Sequence, residues 1–330
     1  MIRYAVIGTS AITEKFTAAA EMTGLFTLSA VCSRDRERGL TFGRPRGCTT
    51  VYENVDSLCL DDRIEAVYIA SPNLFHEPQT RRCLESGKHV LCEKPIATFY
   101  EGYAALASLA KQKGLVYAEA IMPLYAEGRS AVKDALKEVG DITLARIDFC
   151  QRSSRLDAFL RGEHVNIFDM SLAAGTLMDL GIYCVYAAHD LLGTPEEIVS
   201  ATASLLSNGA DGAGCAILRY AKFPAVLTYG KTGASAIGSE IVGERGTLRL
   251  ASVSQYAGVT LVKGGETVPI IGTPDRIALM SGEAKAFADR IRGRRTAVDA
   301  AESEALCAAV HRTMDRIRTL AGLSYPLPPR

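Results

Sequence analysis

The first third of the chain alternates short β-rich runs with helix-like segments, and this alternation constrains the fold more than any other feature. It is typical of βαβ units, in which helices connect parallel strands and cover the sheet. The predicted strands are Tyr4–Ile7, Leu28–Cys32, Glu65–Ala70, Val90–Cys92 and Val116–Ala118. The predicted helices are Ile12–Met22, His76–Glu85 and Phe99–Lys113. We therefore expect an α/β fold with a doubly wound, Rossmann-type dinucleotide-binding domain over residues 1–121.

From residue 122 to residue 330 the pattern predicts a second α/β domain. Helices are predicted at Tyr125–Val139 and Thr176–Leu192, with a strand at Ile142–Phe149 between them. The strands that follow are Ile198–Leu206, Ala216–Tyr220, Ala225–Tyr229, Glu240–Val242, Thr247–Leu250 and Val259–Val262. Because short turns join consecutive strands, we expect an open and mainly antiparallel sheet. Two further helices, Arg276–Arg292 and Ala297–Leu320, complete the chain and are candidates for packing back on the first domain.

Charge and residue usage exclude several classes of function. The 330 residues carry 37 Lys+Arg and 37 Asp+Glu, so a basic groove for nucleic acid is not expected. No apolar run reaches the roughly 18 residues of a membrane-spanning helix, and the start of the chain lacks the layout of a signal peptide. The sequence thus predicts a soluble protein that acts on a small molecule, without nucleic acid or membrane.

Cysteine and histidine spacing argues against disulfides and metal. The nine cysteines include no Cys-x-x-Cys pair, and the five histidines show no His-Glu-x-x-His spacing. Neither a disulfide framework nor a metal site is therefore predicted. Reduced thiols in a cytoplasmic protein fit this usage best.

A glycine-containing turn follows the first predicted strand. Gly8 stands at the first position of the dinucleotide fingerprint, while Ser10 and Thr13 occupy its second and third positions. At such a turn, backbone N–H groups and the helix dipole receive a pyrophosphate. An ordinary strand-turn-helix connection explains the same residues, and this alternative stays open.

The end of the second strand bears on the choice of cofactor. Ser33 and Arg34 stand where an NAD enzyme usually offers a carboxylate to the ribose hydroxyls. A hydroxyl and a guanidinium suit a 2′-phosphate, and Arg38 adds a second charge, so NADP(H) is preferred and NAD(H) possible. Two alternatives remain: a solvated mixed-charge loop, and a route to NAD through Asp35.

Two charged residues close the fourth strand. Glu93 and Lys94 precede Pro95 at the carboxyl end of the sheet, the edge at which ligands bind in open α/β folds. A lysine beside a nicotinamide ring can bind a substrate hydroxyl or relay its proton. The alternative is a surface ion pair that closes the strand.

In the second domain, Asp179 and Tyr183 lie four residues apart on one predicted helix. This spacing turns both side chains to the same side. A phenol beside a lysine can exchange a proton with the substrate during hydride transfer. The alternative is a buried tyrosine and a helix-capping aspartate.

Together these motifs resemble the Gfo/Idh/MocA oxidoreductases, a family that includes glucose-fructose oxidoreductases, inositol 2-dehydrogenases and dimeric dihydrodiol dehydrogenases. The matching elements in the first domain are Gly8-Thr9-Ser10, Ala30-Val31-Cys32-Ser33-Arg34, Ser71-Pro72-Asn73-Leu74-Phe75-His76 and Glu93-Lys94-Pro95. A second signature, Gly-x-Leu-x-Asp-x-Gly-x-Tyr/His, matches Gly175 to Tyr183. Ser10 replaces the glycine that is usual in the family.

The resemblance implies an NADP(H)-dependent enzyme that transfers hydride between nicotinamide and a hydroxyl or carbonyl carbon of a sugar, polyol or dihydrodiol. It implies catalytic roles for Lys94, Asp179 and Tyr183. The residues expected at the cofactor are Gly8, Thr9, Ser10, Ala11, Ile12, Ser33, Arg34, Arg38, Ser71, Pro72, Asn73, His76, Glu93 and Lys94. The second domain would bind substrate and form a homodimer or a dimer of dimers. The alternatives are a non-catalytic NADP(H)-sensing regulatory protein and an NAD-dependent, redox-assisted glycosidase.

Overall fold

A computed structural model describes residues 1–296 and 298–329 and divides the chain into two compact units. The first unit consists mainly of Met1–Tyr125 and Asp275–Glu304, and the second of Ala126–Pro274 and Ala305–Pro326.

The elements follow one another in two sheets and their helices. The strands are β1 (Ile2–Ile7), β2 (Phe26–Cys32), β3 (Val51–Tyr52), β4 (Ala66–Ile69), β5 (His89–Glu93), β6 (Tyr117–Ala120), β7 (Ile142–Cys150), β8 (Glu197–Leu205), β9 (Asp211–Arg219), β10 (Pro224–Gly230), β11 (Ser239–Gly243), β12 (Gly246–Ser252), β13 (Ala257–Lys263) and β14 (Glu266–Ile271). The helices are α1 (Ala11–Thr23), α2 (Arg36–Gly43), α3 (Val55–Cys59), α4 (His76–Glu85), α5 (Tyr100–Gln112), α6 (Arg129–Glu138), α7 (Leu156–Leu160), α8 (Ile182–Leu192), α9 (Arg276–Ile291) and α10 (Ala300–Leu320).

The first unit contains a parallel sheet with the strand order β3-β2-β1-β4-β5-β6. Order and direction confirm the predicted doubly wound fold. Aromatic side chains fill its core: the rings of Phe16 and Tyr68 stack at 3.8 Å, and Phe26 lies 6.4 Å from Phe287 of α9. Strand β3 was not predicted, because two residues are too short to show a periodic pattern.

The second unit contains a sheet with the order β14-β13-β12-β11-β7-β10-β9-β8. Its neighbours are antiparallel except for β7 and β10, which run parallel, so the prediction of a mainly antiparallel sheet is confirmed. Strand β14 was not predicted. It is a largely exposed edge strand that contains Pro269, and proline weakens a strand pattern.

Two predicted helices of the second unit begin later than the sequence pattern suggested. The segment predicted from Tyr125 forms a 3-10 turn at Met122–Tyr125, and α6 starts only at Arg129. Gly128 is the N-cap of α6, and a Cβ atom there would lie 2.3 Å from the end of the Ile271 side chain.

The other helix, predicted from Thr176, begins as a π-helical turn at Leu177–Gly181 and becomes regular only in α8. The predicted start of the last helix, Ala297, lies outside the described residues.

Two features bear on the predicted environment of the protein. Among the described helices, none is both long and apolar enough to cross a membrane. No disulfide joins any of the nine cysteines, all of which lie in the described part of the chain.

Candidate active site

The turn after β1 has the form that a dinucleotide site requires. Gly8 has φ +97°, and a Cβ atom there would lie 2.7 Å from the carbonyl oxygen of Ala70, so only glycine fits. Ser10 is the N-cap of α1, and its hydroxyl lies 3.2 Å from that of Thr13. The N-terminus of α1 therefore presents backbone N–H groups directly after a narrow turn, an arrangement that binds phosphate.

Three exposed arginines, Arg34, Arg36 and Arg38, follow the end of β2. The hydroxyl of Ser33 donates to the backbone oxygen of Asp35 at 2.8 Å, and the carboxylate of Asp35 accepts the N–H of Arg38 at 3.0 Å. Asp35 therefore caps α2 instead of neutralising a neighbouring arginine. Within residues 1–296 and 298–329, Arg34 makes no ion pair. This loop can receive an anionic group.

His76 connects the two segments that follow β4 and β5. The ring is 1% exposed; Nδ1 lies 2.8 Å from the backbone oxygen of Pro95, and Nε2 lies 2.8 Å from that of Ser71. Burial lowers the pKa of His76, although both carbonyl oxygens act against this effect. The ring lies between these two segments, and in its neutral form it donates a hydrogen bond to only one of the two oxygens.

Lys94 follows Glu93 at the carboxyl edge of the sheet and is half-buried. The hydroxyl of Tyr68 donates to Glu93 at 2.5 Å. Burial raises the pKa of Glu93, while the Tyr68 hydrogen bond and the charge of Lys94 lower it. A positive group is thus held where ligands bind in this fold.

Two glutamates that the sequence analysis missed support the segment after Pro95. Glu119 on β6 accepts the N–H of Ile96 at 2.7 Å, and Glu77 on α4 accepts the N–H of Thr98 at 2.8 Å. A Cβ atom on Gly102 would lie 2.0 Å from a carboxylate oxygen of Glu77, so this glycine makes room for the contact. No local sequence signal marks these residues, because their partners lie 21 and 23 residues away along the chain.

The second unit places Asp179 in the π-helical turn Leu177–Gly181 and Tyr183 at the start of α8. Tyr183 is 6% exposed, and its ring meets that of Phe149 edge to face at 5.7 Å. π-Helical turns occur frequently at functional sites. The turn therefore brings both predicted catalytic residues of this unit into one short segment.

A buried lysine that the sequence analysis missed pairs with Asp179. Nζ of Lys231 lies 2.8 Å from Oδ2 of Asp179, and the two side chains are 3% and 37% exposed. The same ammonium lies 3.3 Å from the backbone oxygen of Ile167 and 3.5 Å from that of Gly175. Asp179 is thus an accessible carboxylate with a buried cation behind it.

Asp211 caps this turn, a role that the alternative sequence interpretation gave to Asp179. Its carboxylate accepts the N–H of Leu177 at 2.6 Å, and its backbone oxygen accepts the hydroxyl of Thr176 at 2.8 Å. Burial raises the pKa of Asp211 to about 6, against the lowering effects of these bonds and of the charge of Lys231. Gly175 is required here, because a Cβ atom would lie 1.9 Å from the Asp211 carboxylate.

Residues 2–121 match the model of the oxidoreductase family with an NAD-binding Rossmann fold, and residues 130–249 match the Gfo/Idh/MocA C-terminal domain. A scyllo-inositol 2-dehydrogenase (NADP(+)) of Bacillus subtilis is 35% identical over 326 residues, which is 99% of each chain. The chain belongs to the Gfo/Idh/MocA family of oxidoreductases. The predicted resemblance and enzyme class are thereby confirmed.

Two further relatives illustrate the chemistry of this Gfo/Idh/MocA group. A D-xylose 1-dehydrogenase (NADP(+)) of Haloferax volcanii is 30% identical over 66% of this chain and 65% of its own. A 3-ketoreductase of Actinomadura kijaniata, solved with NADP and TDP-benzene, superposes with a TM-score of 0.86 at 25% identity, over 98% of this chain and 99% of its own. The prediction of an NADP(H)-dependent oxidoreductase for polyol-like substrates agrees with these relatives.

Within the first unit, the structure brings several predicted cofactor residues to one sheet edge: the Gly8 turn packs against Ala70, and His76 joins Ser71 to the segment after Lys94. Ser33, Arg34 and Arg38 lie beyond the end of the neighbouring strand β2. In the second unit, Asp179 and Tyr183 share one segment. The individual roles of these residues stay predictions.

Proposed function

We propose that the protein is an NADP(H)-dependent oxidoreductase that transfers hydride between nicotinamide and a hydroxyl or carbonyl carbon of a sugar, polyol or dihydrodiol. The observation that carries the cofactor choice is the loop after β2. Arg34 in this loop and Arg38 in the first turn of α2 are exposed, while the carboxylate of Asp35 caps α2. Guanidinium groups recognise phosphate by charge-assisted hydrogen bonds.

The residues present fit a bound dinucleotide. The narrow Gly8 turn and the N-terminus of α1 would hold the pyrophosphate, and Ser33, Arg34 and Arg38 would hold the 2′-phosphate. The segments Ser71–Asn73 and Glu93–Lys94 would line the nicotinamide half, and the ring of His76 lies between the backbone oxygens of Ser71 and Pro95. When bound, the dinucleotide supplies hydride transfer.

The protein's own residues move the proton and orient the substrate. In the direction from alcohol to ketone, the proposed role of Tyr183 is to take the proton of the reacting hydroxyl, and that of Lys94 is to bind a substrate hydroxyl. Asp179 accepts a hydrogen bond from a hydroxyl of the substrate, which fixes the carbon that loses hydride. Reduction reverses each step.

Polyhydroxylated compounds are the proposed substrates. The relatives named above act on scyllo-inositol and D-xylose, and a mouse relative with 27% identity is a trans-1,2-dihydrobenzene-1,2-diol dehydrogenase. The carboxylate of Asp179 suits such compounds, because it accepts hydrogen bonds from hydroxyl groups.

The decisive experiment is a titration of the protein with NADPH and NADH, followed by nicotinamide fluorescence. We expect NADPH to bind at least about tenfold more tightly, and Arg34→Ala to abolish the difference. Arg36→Ala is the matched control, because Arg36, the first residue of α2, is also exposed and has no proposed cofactor contact. Tighter binding of NADH, or equal loss in both variants, would contradict the 2′-phosphate assignment. Turnover of scyllo-inositol, D-xylose and trans-dihydrodiols with NADP+ then tests the substrate class.

We further propose that the protein forms a homodimer or a dimer of dimers through the face of the second sheet opposite α8. Ile217 is 40% exposed on that face, and its cross-strand neighbour Val226 is half-buried, whereas Ala216 and Leu227 face the core. Ile217 and Val226 pair directly across two strands, so they form continuous apolar surface, and continuous apolar surface marks an interaction site. Sedimentation of the wild-type protein and of Ile217→Glu tests the proposed assembly. A wild-type protein that sediments as a monomer contradicts the proposal.

A cytoplasmic location is also proposed. Nine cysteines without a disulfide fit a reducing compartment. Fractionation of the source cells followed by immunodetection of the protein tests the location.

A further inference from the structure

We infer that Lys231 and Asp211 are positioning residues that hold the π-helical turn Leu177–Gly181, and with it the Asp179 carboxylate, in the arrangement that binds substrate. The inference rests on the proposed function, because it assigns Asp179 to the substrate. It adds two residues that no sequence motif marks as functional and that lie 52 and 32 positions from Asp179 along the chain.

Lys231 holds the turn by the side chain of Asp179. Its ammonium is almost completely buried, and a buried charge is unfavourable unless it is paired and hydrogen-bonded. Asp179 supplies the opposite charge at 2.8 Å, two carbonyl oxygens lie within 3.5 Å, and the ring of Phe168 lies 5.4 Å from Nζ. All of these contacts are made by the same Lys231 ammonium group, so they fix its position. The ion pair to this fixed ammonium group then sets the direction of the Asp179 carboxylate.

Asp211 holds the beginning of the same turn by its backbone. The carboxylate accepts the N–H of Leu177, and the close approach of Gly175 leaves no space for movement toward it. Lys231 also reaches the carbonyl oxygen of Gly175. The turn is therefore anchored at its start by Asp211 and at its centre by Lys231.

The Lys231–Asp179 pair differs from an ion pair of the core in its exposure, which argues for a role in ligand binding. A buried ion pair contributes little to stability compared with apolar residues of similar size. Here the lysine is sealed from solvent, but more than a third of the Asp179 side chain is accessible. A carboxylate that a buried cation orients, and whose side chain is partly accessible to solvent, can accept hydrogen bonds from a ligand.

The same arrangement predicts how the site responds to pH. The groups that face Asp211 are Lys231, the hydroxyl of Tyr325 at 3.5 Å, and Tyr229 on β10. Burial holds the pKa of Asp211 at about 6, and the positive charge of Lys231 keeps that pKa from rising further. Protonation of Asp211 weakens its bond to Leu177, and removal of the Lys231 charge brings this protonation to higher pH.

The test compares Lys231→Met with Lys231→Arg in steady-state oxidation of scyllo-inositol by NADP+. We expect Lys231→Met to raise KM for scyllo-inositol by about tenfold or more, to leave the Kd for NADPH unchanged, and to move the acidic limb of kcat/KM to higher pH. Lys231→Arg, which retains the charge, should restore part of the loss. The matched control is Lys222→Met, because Lys222 pairs with Asp141 on the surface, where its side chain is 73% exposed.

Unchanged KM and an unchanged pH profile in a folded Lys231→Met variant would overturn the inference. If that variant does not fold, Asp211→Asn is measured instead, and it should remove the acidic limb near pH 6; an unaltered limb is then the contrary result.

A wild-type protein that oxidises no polyol refutes the proposed function separately. In that case hydrogen–deuterium exchange over Gly175–Gly181 tests whether Lys231 anchors the turn. We expect about tenfold faster exchange in Lys231→Met than in wild type, and equal exchange would refute the anchoring.

Discussion

Acid sensitivity of the second unit is expected to depend on His189, a buried residue of α8. The ring is 6% exposed, and Nε2 lies 2.9 Å from the hydroxyl of Thr313. In the part of the chain that the structure describes, Nδ1 has no hydrogen-bond partner. Burial lowers the pKa of His189 from 6.5 to about 4, because the charged ring would lose its hydration.

The size and sign of the effect follow from this difference in pKa. Below pH 6.5 the unfolded chain binds a proton at His189 and the folded protein does not, so the free energy of unfolding decreases as pH falls. His189 has a pKa of 6.5 in the unfolded chain and of about 4 in the folded protein, so the free energy of unfolding decreases by about 3 kcal/mol once pH is well below both values. About 2 kcal/mol of this decrease is reached near pH 5. Above pH 6.5 the residue contributes no pH dependence.

Urea unfolding at about pH 8 and about pH 5 measures this loss in wild type and in His189→Gln, which cannot gain the charge. We expect wild type to lose about 2 kcal/mol more than the variant between these values. His164→Gln is the control, because the His164 side chain is 71% exposed. Equal losses in wild type and His189→Gln would refute the reasoning.

Two further predictions concern a buried ion pair and the phosphate turn. Asp190→Asn removes the negative charge and one of the two oxygens that accept from Arg129, Lys133 and Tyr256, and should lower the free energy of unfolding in urea by about 3–5 kcal/mol. Asp157→Asn at an exposed pair should cost less than about 1 kcal/mol. Equal effects would contradict the role of burial. Gly8→Ala should weaken NADPH binding in a fluorescence titration by about tenfold or more, while Gly24→Ala, with φ +64° and open space around it, should leave binding unchanged.

The fold was largely predictable because its elements carry their own pattern. Apolar strands alternate with helices in the first unit, and this periodicity reflects which side of each element is buried. Two strands lack this periodicity and were therefore not predicted: β3 has only two residues, and β14 is an exposed edge strand with a proline. The π-helical turn was also missed, since its apolar residues follow the spacing of an ordinary helix.

The candidate site was predictable where it lies at the ends of strands. Gly8 and Lys94 follow strands, and a parallel sheet gathers such positions at one edge. Lys231 and Asp211 could not be found in this way. Asp211 begins β9 and Lys231 directly follows β10, and each is important because of a contact with a distant turn that only the fold creates. His76 lies between these cases: the motif marked the residue, but only the structure shows that its ring joins two loops.

The π-helical turn also has a consequence for relatives that differ in length. Such a turn holds one residue more than the same stretch of α-helix. Deletion of Leu180 from this turn would allow α8 to continue toward its N-terminus as a regular helix. Each residue before the deletion would then rotate by about 100° around the helix axis, which would turn Asp179 away from Lys231. Two relatives that differ by one residue in this segment would therefore have different geometries at Asp179. A sequence alignment would nevertheless score the two segments as almost the same.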